Sequence, residues 1–160
     1  MLLHAPTPLA LADLTSLTRE VAAEVRSGIH PVVVDPDRRW YQLLRSDAFV
    51  DVWLISWATE QSAELHDHGG SLGALTVVSG GLTEQRWVGT GMATRRLRAG
   101  ASAGFPLGHV HDVGNPDPTP AVSVHAYSPP LSAMSYYAVD DAGLLRRTRS
   151  ELVEQGTPVA

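Results

Sequence analysis

Cysteine and lysine are both missing from this 160-residue chain. Without Cys there is no disulfide, no iron–sulfur cluster, no thiolate zinc site and no Cys nucleophile. Without Lys there is no Schiff-base amine and no P-loop lysine, and the 12 basic residues are all Arg. Charge is sparse at 18% of residues and sums to −5, which gives a phosphate backbone or an anionic membrane little to hold. Neither nucleic acid nor membrane is therefore expected as a partner. No apolar stretch reaches the length of a membrane span. The N-terminus, Met1-Leu2-Leu3-His4-Ala5-Pro6-Thr7-Pro8, lacks a basic region and is broken by two prolines, so no signal peptide is expected and the expected location is cytoplasmic. His, carboxylate, Ser and Tyr remain for chemistry.

The hydrophobic share, 44%, is that of a globular chain, and the length suits one domain. Leu14, Leu17, Val21 and Val25 recur at helical spacing and Gly28 follows in the C′ position, which predicts one amphipathic helix over roughly 10–27. Beyond it the period becomes two. Segments around 39–45, 50–57, 73–79, 82–88, 94–98, 109–114, 120–127 and 134–139 read as short strands separated by Gly-, Pro- and Asn-containing turns. The expectation is a mostly β, single-domain, jelly-roll-like barrel over 1–160. It divides into an N-terminal α-helical segment (1–30), a barrel (31–145) and a C-terminal tail (146–160). Arg146, Arg147 and Arg149 in that tail read as a solvated face.

Five of the seven His fall between positions 66 and 125. His66 and His68 are two apart, as are His109 and His111, so each pair projects to one face of an extended segment. Two such pairs on neighbouring segments bring imidazoles together in a barrel interior, and imidazole suits iron, zinc, copper and nickel. Spacing alone leaves open which His of the second pair is the ligand. His4 and His30 read as surface or capping residues.

Gly108-x-x-His111-x-x-x-Asn115 after Pro106, with His66-x-His68 and Gly80-x-Leu82-x-Glu84, resembles the two cupin motifs of the cysteine dioxygenase family. Ser123-Val124-His125-Ala126-Tyr127 followed by Ser128-Pro129-Pro130 resembles that family's Ser-x-His-x-Tyr and Ser-Pro-Pro segment. The resemblance spans roughly 39–139. It implies a cupin barrel holding one non-haem Fe(II) by His66, His68 and His111, with His109 as a neighbour. It further implies O2 as co-substrate, a small thiol as substrate, and the monomeric habit of the family. Most cupins add a carboxylate after the His-x-His pair, but here Gly69-Gly70-Ser71-Leu72-Gly73 stands there. Three neutral imidazoles leave the ion its full charge, suited to a thiolate. Gly73 stands where mammalian members carry a Cys crosslinked to the Tyr matching Tyr127, so no crosslink forms here.

The implied reaction is oxidation of L-cysteine to cysteine sulfinate, with 3-mercaptopropionate or a related thiol acid as the alternative substrate. Tyr127 would supply a hydroxyl, with His125 and Ser123 on the same face as its relay. Ser128-Pro129 is a candidate cis peptide. The substrate carboxylate needs a donor, for which Arg39, Gln42 and Arg45 are the candidates, because Arg matches a carboxylate in a way Gln does not. Two rival readings belong to other classes. One is a non-catalytic cupin that binds a small ligand, which would have no need of the Tyr127 hydroxyl. The other is a three-His zinc site, which would not use oxygen. Gly69-x-Ser71-x-Gly73 matches a hydrolase nucleophile elbow but is followed by strand-like Ala74-Leu75-Thr76-Val77-Val78, so it reads as a chance match.

Overall fold

The structure is a computed structural model, which describes residues 7–153. His4 and the start of the N-terminal segment, like the last seven residues of the expected tail, lie outside the described residues. The predicted helix forms as α1, Leu11–Arg26, with Gly28 at φ 87° just after it. Leu14, Thr18, Val21, Ala22 and Val25 are its buried residues, a stripe at spacings of three and four. No helix is long and apolar enough to cross a membrane among the described residues.

Ten strands follow: β1 (Trp40–Ser46), β2 (Asp51–Trp57), β3 (Leu72–Ser79), β4 (Gly81–Trp87), β5 (Met92–Arg98), β6 (Ser102–Phe105), β7 (His111–Gly114), β8 (Ala121–Ser128), β9 (Ala133–Val139) and β10 (Leu145–Leu152). Two of these were not expected. β6 is only four residues long, and β10 is charged and exposed along its length, so neither carries an apolar alternation to read. The expected tail thus begins inside a strand paired to β9.

Hydrogen bonding groups the strands into sheets ordered β1-β2-β8-β3-β6, β5-β4-β7 and β10-β9. The chain is mostly β with one helix, as expected, and among the described residues these ladders do not close on one another, so the barrel itself is not borne out. The physical reason is local. Among the described residues, the chain between β2 and β3 pairs with the other sheets at isolated bridges, Ser62 to Gly114 and His66 to both His111 and Tyr136, and forms no continuous ladder. The His-x-His pair therefore sits on an extended connecting segment, not on a strand.

Alternation within the five-stranded sheet decides what faces the site. Val52 and Leu54 of β2, Ala74 and Val78 of β3, and Val122, Val124 and Ala126 of β8 pack with Leu14, Val21 and Val25 of the helix. The intervening Trp53, Ile55, Trp57, Leu75, Val77 and Tyr127 face a second core shared with Leu82, Val113 and Met134 of the other sheets. A sheet covered on both faces reads as an unbroken apolar run, which is why β2 and β8 are buried throughout. The helix is also tied down by a buried hydroxyl chain. Thr18 Oγ1 donates to the Thr15 carbonyl (2.9 Å), which leaves it to accept from Thr76 Oγ1 (2.8 Å), itself 2.8 Å from Ser102 Oγ.

Leu14 is fully buried between helix and sheet. Leu14→Ala is expected to destabilise the protein by about 2–5 kcal/mol, read as a lower urea midpoint with an unchanged m-value.

Candidate metal centre

Extended backbone at His66-Asp67-His68 sends the two imidazoles to one side and Asp67 to the other. Asp67 Oδ1 accepts from the Gly69 and Ser135 amides (3.0 and 3.1 Å), and its Oδ2 accepts from the Tyr137 hydroxyl (2.6 Å). Backbone bonds between His66 and His111 run both ways, at 2.9 and 3.0 Å, and lock the two segments side by side. His66, His68 and His111 are all buried, and one ring nitrogen from each lies within 4.8 Å of the others.

On His66 and His111 the outer nitrogen is occupied in a way that fixes the inner one. His66 Nδ1 lies against the Glu64 carbonyl, and His111 Nδ1 is 2.8 Å from Glu84 Oε2. A carbonyl or carboxylate there takes the ring N–H, leaving the lone pair on Nε2. His111 Nε2 is buried with no hydrogen-bond partner, and His66 Nε2 is 3.1 Å from His68 Nε2. Three imidazoles that converge on one point, His111 among them with an orphaned nitrogen, fit a bound metal ion. Burial also pushes the His111 pKa down, against the pull of Glu84, so the ring is held in its neutral, ligating form.

Glu84 is the site residue that sequence reasoning quoted in a motif but gave no role. On β4 it alternates inward with Leu82, and it is fully buried. Burial alone would raise its pKa, but hydrogen bonds from His109, His111 and Arg95 outweigh that and hold it ionised well below the usual carboxylate range. Its second oxygen lies 2.6 Å from Arg95 Nε. His109 Nε2 meets the same carboxylate at 3.2 Å, and its ring stacks on Phe105. Glu84 thus contacts the outer nitrogen of His111 and leaves the inner side to the three rings.

A second chain of polar groups rises from β2 and β8. Trp57 Nε1 donates to Ser123 Oγ (2.9 Å), Ser123 Oγ is 2.8 Å from His125 Nε2, and His125 Nδ1 is 3.5 Å from the Tyr127 hydroxyl. An indole N–H can only donate, so the Ser123 proton is left for His125 Nε2. The remaining ring proton, on Nδ1, then points at the Tyr127 oxygen. Burial drives the His125 pKa well below its ordinary value and pushes the Tyr127 hydroxyl up, so both are neutral. The Tyr127 ring lies 4.8 Å from that of His68. Ser128-Pro129 is cis, as the sequence suggested.

Of the three carboxylate-binding candidates, only Arg39 enters the site. It lines a cavity of about 180 Å³ together with His66, Met134, Tyr136 and Arg149. Its guanidinium lies 4.9 Å from the Trp57 ring centre, and its buried Nε and Nη1 have no partner. Gln42 is exposed on β1, and Arg45 is spent on Glu24 at 2.7 Å on the surface, with Glu20 4.0 Å away. Gln42 lies three positions from Arg39, an odd step that changes face, and the register shift between Leu43 and Arg45 turns Arg45 away from the face that six regular positions would give it. A larger, more open hollow of about 380 Å³, bounded by Glu60, Gln61, Asp112 and Asn115, holds none of the three clustered rings.

The family model for cysteine dioxygenase type I matches residues 21–140. The chain belongs to the cysteine dioxygenase type I family. Membership brings thiol dioxygenase activity as the family's chemistry, within the cupin superfamily. Solved structures support the fold. A Klebsiella pneumoniae protein with a double-stranded β-helix domain matches at TM-score 0.59 and 21% identity, over 66% of this chain and 84% of that one. A Thermus thermophilus protein matches at TM-score 0.56 and 20% identity, over 62% and 90%. A cupin-superfamily sugar phosphate isomerase from Silicibacter pomeroyi matches at TM-score 0.54 and 21% identity, over 78% and 82%.

Within this family Gly73 has a packing role that can be tested. It lies opposite Tyr127 in the β3–β8 ladder, and a Cβ there would fall 2.8 Å from Phe105 Cδ2 and 3.0 Å from the Tyr127 ring. Gly73→Ala is expected to cost about 1–3 kcal/mol through overpacking, seen as a lower melting temperature and an altered near-UV signal from Tyr127.

Proposed function

We propose that the chain is a non-haem Fe(II) thiol dioxygenase that oxidises L-cysteine to cysteine sulfinate with O2. The observation that carries the reading is a single small cavity bounded by both His66 and the unpaired guanidinium of Arg39. It supports a substrate that presents a sulfur to the histidine cluster and a carboxylate to Arg39. 3-Mercaptopropionate is the alternative substrate, because Arg39 reads only the carboxylate the two thiols share.

His66, His68 and His111 would hold the ion. When bound, Fe(II) supplies the redox chemistry that lets ground-state oxygen react with a spin-paired thiolate. Arg39 holds the substrate carboxylate through N–H groups that have no other acceptor, and Trp57 supports that guanidinium from beneath. Tyr127 presents a hydroxyl proton to the reacting atoms, since His125 occupies its oxygen as a donor. Glu84 keeps the Nδ1 proton of His111 in place. Phe105, Tyr127 and Met134, all buried, keep bulk water away from the cluster.

The decisive experiment is anaerobic iron loading followed by oxygen uptake and mass spectrometry with cysteine, 3-mercaptopropionate and cysteamine. A sulfinate carrying two oxygen-18 atoms from labelled O2 is the expected product, and no thiol-dependent uptake would leave a ligand-binding cupin. His66→Ala, His68→Ala and His111→Ala are expected to lose stoichiometric iron, whereas His109→Ala retains it; elemental analysis of the purified variants reads this.

Arg39→Met removes charged hydrogen bonds worth about 1.5–3 kcal/mol, so KM for cysteine is expected to rise about ten- to a hundredfold. Cysteamine, which has no carboxylate, is expected to be unaffected. Tyr127→Phe is expected to retain iron while turnover falls or oxygen use uncouples from sulfinate formation.

A further inference from the structure

β10 brings a charged side chain to the cavity mouth through a local irregularity. Arg147 pairs with Tyr137 and Arg149 with Tyr136, and Thr148 is the extra residue between them. Regular alternation would send Arg147 and Arg149 to the same face, but a bulge puts them on opposite faces. Arg147 lies over Tyr137 and donates to its hydroxyl, on the side of Asp67. Arg149 instead sits 3.9 Å from the centre of the Tyr136 ring and lines the cavity that holds Arg39 and His66.

Arg149 is not a second anchor for an anionic substrate. Its Nη2 is paired with the Glu64 carboxylate and its Nε lies 3.0 Å from Glu151, whereas Arg39 has buried N–H groups without an acceptor. Glu64 comes from the segment whose backbone carbonyl orients His66, so the ion pair joins β10 to the histidine segment across the opening. Both partners are part-exposed, with side chains 46% and 64% accessible. Such a hydrated pair is weakly held and can open to admit a ligand. The space beneath, about 180 Å³, is below the roughly 300–1,000 Å³ of pockets for drug-sized ligands.

We propose that the Arg149–Glu64 pair, seated on Tyr136, closes the cavity mouth and selects for size, accepting free amino-acid-sized thiols and rejecting thiols enlarged at the amine. This rests on the thiol dioxygenase reading. The test compares kcat/KM for L-cysteine and N-acetylcysteine in the iron-loaded full chain. Wild type, Arg149→Met, Glu64→Gln and Arg146→Met are measured side by side, the last because Arg146 pairs with Asp140 elsewhere on β10. Opening the mouth is expected to narrow the preference for cysteine by about tenfold, the scale at which pockets discriminate small increments of size. Arg146→Met is expected to leave the preference as in wild type.

A second readout needs neither metal nor turnover: the rate of carbethoxylation of the peptide containing His66 and His68 in metal-free protein. It is expected to rise severalfold in Arg149→Met and Glu64→Gln only. An unchanged preference overturns size selection, whatever the modification rates. If wild type oxidises neither thiol, the proposed reaction is removed, and the closure is judged on modification alone, equal rates in all four proteins overturning it.

Discussion

Burying three imidazoles around one point is the demand on which the rest of this structure depends. Each ring carries a donor and an acceptor that lose water on burial, and an unpaired buried nitrogen is costly. The fold meets the demand at the outer nitrogens. The Glu64 carbonyl takes His66 Nδ1, and Glu84, itself paired with Arg95 and in contact with His109, takes His111 Nδ1. The inner nitrogens converge, and that of His111 has no hydrogen-bond partner. A cluster of this kind gains most when a cation supplies the missing partner, and burial, which holds His111 neutral, keeps its lone pair available.

The double cover of the five-stranded sheet makes this possible. The helix occupies one face and so frees the other to be lined with function at every second position. On β8 the inward set is Ser123, His125 and Tyr127, while Val122, Val124 and Ala126 meet α1. Trp57 on β2 then serves two ends of the site at once, its ring beneath Arg39 and its N–H on Ser123. The Arg39 guanidinium and the Ser123–His125–Tyr127 chain are therefore supported by one rigid side chain.

Much of the site was legible in the sequence because its residues lie close together in the chain. His66 and His68, or Ser123, His125 and Tyr127, need only an extended backbone to share a face, and that rule survives even where His66 and His68 fall on a connecting segment instead of a strand. Glu84, Trp57, Tyr136 and Arg149 were not legible in the same way. Glu84 stands in a quoted motif but meets His111 across 27 positions, and Trp57 meets Ser123 across 66, so no local pattern shows what either one touches. Arg149 was hidden for a further reason: its neighbours are polar and exposed, and the bulge at Thr148 turns it toward the cavity.

The sequence by itself determined the element types, the apolar stripe of the helix, the absence of thiol and amine chemistry, and the pairs of residues able to act together. Periodicity and composition are local properties, and each can be read without knowing where the chain goes next. Tertiary structure alone decided that the sheets remain three and do not close, and that Arg39, not Gln42 or Arg45, reaches the cavity. It also decided which carboxylate steadies His111. Those outcomes depend on register between strands distant in sequence, where a shift of one residue exchanges the buried face for the exposed one.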